Sequence, residues 1–236
     1  MSLSKKADVA YLAIRRAIIE HALASGTRLP EDRLAEQFAV SRTLVRAALA
    51  RLAADGLVDI GNKRTATVAR PSLEEARAVF EARRCIEAEI VRLAIARLQP
   101  GATKALEAHV REEEAAAAAR QSTASIRLAG EFHVKLAALA GNPVLARYLS
   151  ELATRCSLIL AVYGRPHSSD CAVNEHRELI KAIRAKDVAR AQSLMGEHLL
   201  GIQDRALLAG GQEAEVDLAS ILSHYAKDVD AETPPA

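Results

Sequence analysis

Residues 40–49 read Val-Ser-Arg-Thr-Leu-Val-Arg-Ala-Ala-Leu, and this stretch constrains the chain more than any other. Ser41 is a good N-cap, because its hydroxyl can accept one of the orphan amides of a first helical turn. Arg42 and Arg46 are four positions apart and share one helix face. Val45, Leu49 and Leu52 share another face, which is apolar and must be buried. Two planar guanidiniums near the start of a short helix suit guanine edges and phosphates. Taken alone, Arg42 and Arg46 favour an ordinary solvated basic face. Their neighbours point elsewhere.

Upstream, Glu31–Phe38 has the pattern of a short amphipathic helix with Leu34, Ala35 and Phe38 inward, and Ala39-Val40 makes a tight connection to the next helix. Two short helices joined in this way form a helix-turn-helix, whose second helix enters a major groove. Downstream, Asp55-Gly56 ends the second helix, with Gly56 suited to a left-handed cap. Residues 57–60 and 65–69 read as two strands around a turn at 61–64, a wing with Lys63 and Arg64 at its tip. Cations there can reach phosphates or a minor groove. A longer helix over 5–24 precedes the unit, with Val9, Leu12, Ile14, Ile18 and Ile19 among its apolar positions.

Residues 8–70 resemble the winged helix-turn-helix of the GntR family of bacterial transcription regulators. The matching text is GTRLPE at 26–31, LAEQFAVSRTLVRAALARLAADGLV at 34–58, and Asn62-Lys63-Arg64 in the wing. The resemblance implies DNA contacts at Arg33, Ser41, Arg42, Thr43 and Arg46, with Lys63 and Arg64 from the wing. The chain departs from the family at Leu44, Ala47 and Thr65, where Pro, Glu and Gly are frequent. Leu44 and Ala47 are good helix formers. Thr65 is less suited than glycine to a very tight tip, because a β-branched residue does not tolerate positive φ.

The chain has 236 residues, half of them apolar, enough for two domains with real cores. Its net charge of +2 says little about a nucleic-acid partner; the useful cations are clustered at 42–51 and 63–70. No apolar run is long enough to cross a bilayer, and the first residues lack the apolar stretch of a signal peptide. Cys85, Cys156 and Cys171 are widely spaced and form no zinc or redox motif, so the cytoplasm is the natural compartment. With no tryptophan and few aromatics, recognition of single strands by base stacking is poorly supported.

Arg70-Pro71-Ser72 marks a boundary, since Pro71 cannot continue a strand and Ser72 can cap a helix that carries Glu74 and Glu75 in its first turn. From there the pattern is helical: 73–98, 101–122, 124–140, 143–163, 170–185 and 187–209, with a short helix over 212–225. Breaks fall at 99–101, 141–143 and 164–166. The expected class is therefore mainly α. A winged helix-turn-helix over 1–70 is followed by an all-α helical bundle over 71–225 and a flexible tail over 226–236. The run EEEAAAAA at 112–119 reads as an exposed helix of high propensity, structural rather than functional.

This second half resembles the FCD effector-binding domain of the FadR subgroup of the same family. The matching text is FEARRCIE at 80–87, Glu131-Phe132-His133 followed by Gly141-Asn142-Pro143, and EHRELIKAI at 175–183 leading to Asp187 and Glu197-His198-Leu199. His133, His176 and His198 fall on three separate predicted helices. Neutral imidazole is a common ligand of zinc, nickel and iron, and facing helices of a bundle can bring such groups together. Singly, each is more often a buried polar group than a ligand. The resemblance implies that together they bind a divalent metal, zinc or nickel, at the floor of an effector pocket. It also implies an aspartate ligand one turn before the first histidine, and that position is Ala129. Glu131 is two residues from His133 and points away on a helix. Arg83 matches the family's first-helix arginine, whose fork suits a carboxylate effector. Arg155 is a second effector candidate, with a solvent-exposed position as the alternative.

The expected function is that of a ligand-responsive, DNA-binding transcription regulator, a repressor by family habit. It would bind a palindromic operator as a homodimer and be controlled by a small acidic metabolite. Two alternatives stand beside it: a regulator whose pocket does not sense, and a three-histidine metalloenzyme. The last would need a general base that no motif assigns and would leave the winged helix unexplained.

Overall fold

The computed structural model describes residues 3–61, 65–163, 170–207 and 218–232, and they divide into two compact units, 1–71 with 211–236 and 72–210. The boundary falls between Pro71 and Ser72, as the proline predicts.

In the first unit α1 (Leu3–Ile19) is followed by β1 (Arg28–Leu29), α2 (Glu31–Phe38), α3 (Arg42–Ala54), β2 (Val58–Asp59) and β3 (Ala66–Val68). Ala10, Ala13, Ile14, Ala17 and Ile18 of α1 are buried, as are Leu34 and Phe38 of α2 and Val45, Ala48, Leu49 and Leu52 of α3. These three stripes close one small core. The turn between α2 and α3 works because Ala39 adopts a left-handed conformation (φ 48°), in which its amide bonds back to the end of α2. Gly56 (φ 70°) turns the chain out of α3 into β2, the conformation that favours glycine there.

The antiparallel sheet has the order β1-β3-β2, with Arg28 opposite Thr67 and Val58 opposite Val68. β1 was not anticipated as a strand. It is two residues long, too short for alternation to register.

The second unit contains α4 (Leu73–Ala96), α5 (Lys104–Ala118), α6 (Ser122–Leu139), α7 (Pro143–Tyr163), α8 (Asp170–Arg184) and α9 (Val188–Leu207). Ser72 caps α4 by accepting from the Glu75 amide at 3.1 Å. α4 is the central helix and packs on α6, α7 and α9. Ile90, Val91, Phe132, Leu136, Leu149, Ile183 and Leu199 build the core.

The last helix corrects the expected domain plan. α10 (Leu218–Glu232) overlaps the expected short helix at 218–225, continues through 226–232, which were expected to be tail, and belongs to the first unit rather than to the bundle. Leu218, Leu222, Tyr225 and Val229 are buried at helical spacing, on a helix packed against α1. The Tyr225 hydroxyl donates to Glu20 at 2.7 Å. An apolar stripe of this kind has to be covered, and α1 offers the matching surface.

Candidate functional site

The first candidate surface is the exposed side of α2 and α3. Ser41 caps α3, accepting from the Leu44 amide at 3.4 Å. Arg33, Ser41, Arg42, Thr43 and Arg46 are all exposed, so every expected DNA-contacting side chain of this pair of helices faces solvent. Two of the cations are already engaged within the unit: Arg42 pairs with Asp32, and Arg46 with Glu31 at 2.8 Å. The α2 carboxylates thus hold the two guanidiniums of α3 on the recognition side. Exposed pairs of this kind are weak and exchange readily. Lys63 and Arg64 lie outside the described residues.

The second candidate site is in the helical unit. His133 of α6, His176 of α8 and His198 of α9 are all buried, and each offers a nitrogen within 4.8 Å of the others. Phe132 stacks on the His176 ring at 3.8 Å and fixes its plane. The Nε2 atoms of His133 and His198 are 3.3 Å apart, and among the described residues the Nε2 of His176 has no hydrogen-bond partner.

Each imidazole is held from behind through its other nitrogen. The Nδ1 of His133 meets Glu87 of α4 at 2.5 Å. That of His198 meets Glu175 of α8 at 2.5 Å, and that of His176 meets Glu113 of α5 at 3.0 Å. Glu87 is shared, because its second oxygen accepts from the Arg83 Nε at 2.7 Å. Arg83 also donates to the Cys156 sulfur at 3.1 Å, and among the described residues its Nη2 has no partner.

Electrostatics keep this cluster suited to cation binding. Burial pushes the His133 imidazole down to about 3, outweighing Glu87, so the ring is neutral. Burial likewise holds His176 well below its ordinary value. Burial alone would raise Glu87, but the Arg83 guanidinium and His133 hold it down at about 2. Glu113 has no such guanidinium, and burial pushes it up to about 7.

Neutral imidazoles donating from Nδ1 to carboxylates present only lone pairs at Nε2. Two such lone pairs facing each other cannot hydrogen-bond. Two nitrogens each about 2.05 Å from one ion at a tetrahedral angle would be about 3.3 Å apart. The donor set therefore fits a divalent metal. Ala129 lies on α6 one turn before His133, partly buried, and offers no ligand.

Glu131 turns to Arg127, at 2.7 Å, as its spacing from His133 requires. Arg155 of α7 pairs with Glu75 in the first turn of α4 and is half-exposed. Glu75 lies about 12 Å of helical rise from Arg83. Sequence reasoning missed the three carboxylates. The run at 112–119 is not uniformly exposed, because Glu113 is 2% exposed while Glu112 and Glu114 face solvent. Helical phase turns Glu113 inward with Leu106, His109 and Val110, and their spacing was the available signal. Glu87 was legible as the i+4 partner of Arg83.

A winged helix with an exposed basic recognition helix, followed in the chain by a helical bundle with a buried polar centre, defines a DNA-binding transcriptional regulator. The comparisons agree. The model for bacterial regulatory proteins of the gntR family matches residues 6–68, and that for the FCD domain matches residues 78–201. The chain belongs to the gntR family of bacterial regulatory proteins, in its FCD-containing branch.

Among curated relatives, the repressor GlaR of Escherichia coli K12 is 30% identical over 203 residues, covering 80% of this chain and 90% of GlaR. The repressor RspR of the same strain is 25% identical over 195 residues, covering 82% and 86%. The repressor NanR of Salmonella schwarzengrund is 29% identical over 235 residues, covering 84% and 83%. Two solved structures share the fold. E. coli McbR/YncC has a TM-score of 0.74 at 22% identity, over 85% of this chain and 95% of that one. A putative GntR regulator from Rhodococcus sp. RHA1 has a TM-score of 0.75 at 22% identity, over 86% and 97%. Among the described residues no helix is long and apolar enough to cross a membrane.

Proposed function

We propose that this regulator is a repressor that binds a palindromic operator as a homodimer. A small carboxylate effector, received by Arg83 and by a divalent metal on His133, His176 and His198, would change its operator affinity. The observation that carries the sensing half is the convergence of three buried imidazoles beside an arginine whose buried Nη2 has no partner among the described residues. A buried donor without an acceptor is costly, and an incoming carboxylate would satisfy it. With three protein nitrogens as ligands, zinc or nickel keeps coordination positions open for water or for an effector oxygen. The repressor assignment is supported by the names of GlaR, RspR and NanR. The two-fold operator follows from the way paired winged helices read half-sites.

Effector and operator are linked if the acid binds one arrangement of the DNA-binding units better than another. The test is metal analysis of the purified protein, followed by a thermal-shift screen of small carboxylic acids with and without zinc or nickel. A binder raises the melting temperature by mass action. The expected hit requires metal and is lost in His176→Ala and Arg83→Met. Full effector binding by metal-free protein and by His176→Ala would remove the metal from the proposal.

A further inference from the structure

We propose that Glu87, Glu113 and Glu175 act together as an outer ring of positioning carboxylates that preorganises the three imidazoles for a cation and supplies the negative charge absent at Ala129. This rests on the metal-dependent reading above.

Each carboxylate comes from a helix other than that of the histidine it holds. Glu87 on α4 holds His133 on α6, Glu113 on α5 holds His176 on α8, and Glu175 on α8 holds His198 on α9. Each contact is made to Nδ1, so all three rings are set with Nδ1–H outward and Nε2 inward. A carboxylate behind a metal-ligating histidine fixes the tautomer, locks the ring orientation and raises the basicity of the ligating nitrogen. One such partner is common; here every histidine of the cluster has one.

The three carboxylates also solve a charge problem. Imidazoles carry no charge when they ligate, and the position one turn before His133 is an alanine. A divalent ion surrounded only by neutral nitrogen in a buried site would be poorly compensated. The three carboxylates stand directly behind the rings, with the Arg83 guanidinium on Glu87, and their charge reaches the ion through the imidazoles. Glu87 and Glu113 are as buried as the histidines they serve, so little solvent screens them.

The experiment measures zinc affinity by chelator competition for the wild-type chain, Glu113→Gln and Glu175→Gln. It is paired with NMR of the imidazole nitrogens in the zinc-free proteins to read the tautomers of His176 and His198. Glutamine keeps size and an acceptor while removing the charge. Each substitution is expected to weaken zinc by about 10–100-fold and to shift the facing ring away from the pure Nδ1–H form. The Glu113→Asp variant should recover part of the loss, while circular dichroism of the zinc-free variants stays as in the wild type.

Wild-type affinity in both glutamine variants, or weakened zinc with unchanged tautomers, overturns the proposal. Wild-type protein that binds no zinc overturns the metal reading itself. In that case, imidazoles that keep their tautomers in the glutamine variants remove the carboxylates' positioning role as well.

Discussion

The Tyr225 hydroxyl donates a buried 2.7 Å hydrogen bond to Glu20, a residue 205 positions earlier in the chain. Glu20 follows α1 and also accepts from the Arg16 Nε at 2.9 Å, and the Arg16 guanidinium lies 5.9 Å from the Tyr225 ring centroid. The last helix is therefore an integral part of the DNA-binding unit. Tyr225→Phe deprives a buried carboxylate of one donor and should cost about 1–3 kcal/mol. A chain ending before Leu218 also uncovers the apolar face of α1 and should lose more. Urea unfolding monitored by circular dichroism checks both, and zinc binding in the helical unit should be unaffected by Tyr225→Phe.

If Arg42 and Arg46 contact DNA, each would exchange its carboxylate, Asp32 or Glu31, for the duplex. Arg46→Ala should weaken binding to a site selected from random-sequence duplexes by about 1–3 kcal/mol if the guanidinium reads a base edge. Glu31→Gln and Asp32→Asn should act in the opposite direction, each strengthening binding to duplex of any sequence by up to about 1 kcal/mol. Fluorescence anisotropy at a stated salt concentration measures all three.

Arg83 neutralises a carboxylate that is itself holding His133. Arg83→Met strands the buried charge of Glu87 and should destabilise the zinc-free protein by about 3–5 kcal/mol. Adding Glu87→Gln removes the stranded charge while keeping an acceptor for the His133 ring. The double variant should therefore be more stable than Arg83→Met alone. Denaturant midpoints of the wild type and the two variants decide it, and a double variant weaker than the single one would refute the account.

Glu113 gives the zinc-free protein a pH dependence of definite sign. Its carboxyl is raised from 4.5 to about 7 in the fold by burial. The native state therefore holds a proton that the unfolded chain releases earlier. Stability from this group is present below about 4.5, falls as pH rises and is lost above about 7. Compared with Glu113→Gln, zinc-free wild type should lose stability across that window, by at most about 1.4 kcal/mol per pH unit. Equal pH profiles for the two proteins would show that Glu113 does not titrate there.

The sequence by itself determined the local elements and their punctuation. The Ser41 and Ser72 caps, the Gly56 exit, the unit boundary after Pro71 and the helical periods of the second half all follow from interactions within a few residues. It also placed the three histidines on three separate helices, and helical phase was enough to put Arg42 and Arg46 on the exposed side of α3. Only the tertiary structure decided what stands behind each imidazole. The partners Glu87–His133 and Glu113–His176 are 46 and 63 residues apart and come from different helices. Helical periodicity shows which face a residue occupies but not which helix that face meets. The same limit applied to α10: its apolar stripe required a cover, and only the folded chain showed that the cover is α1.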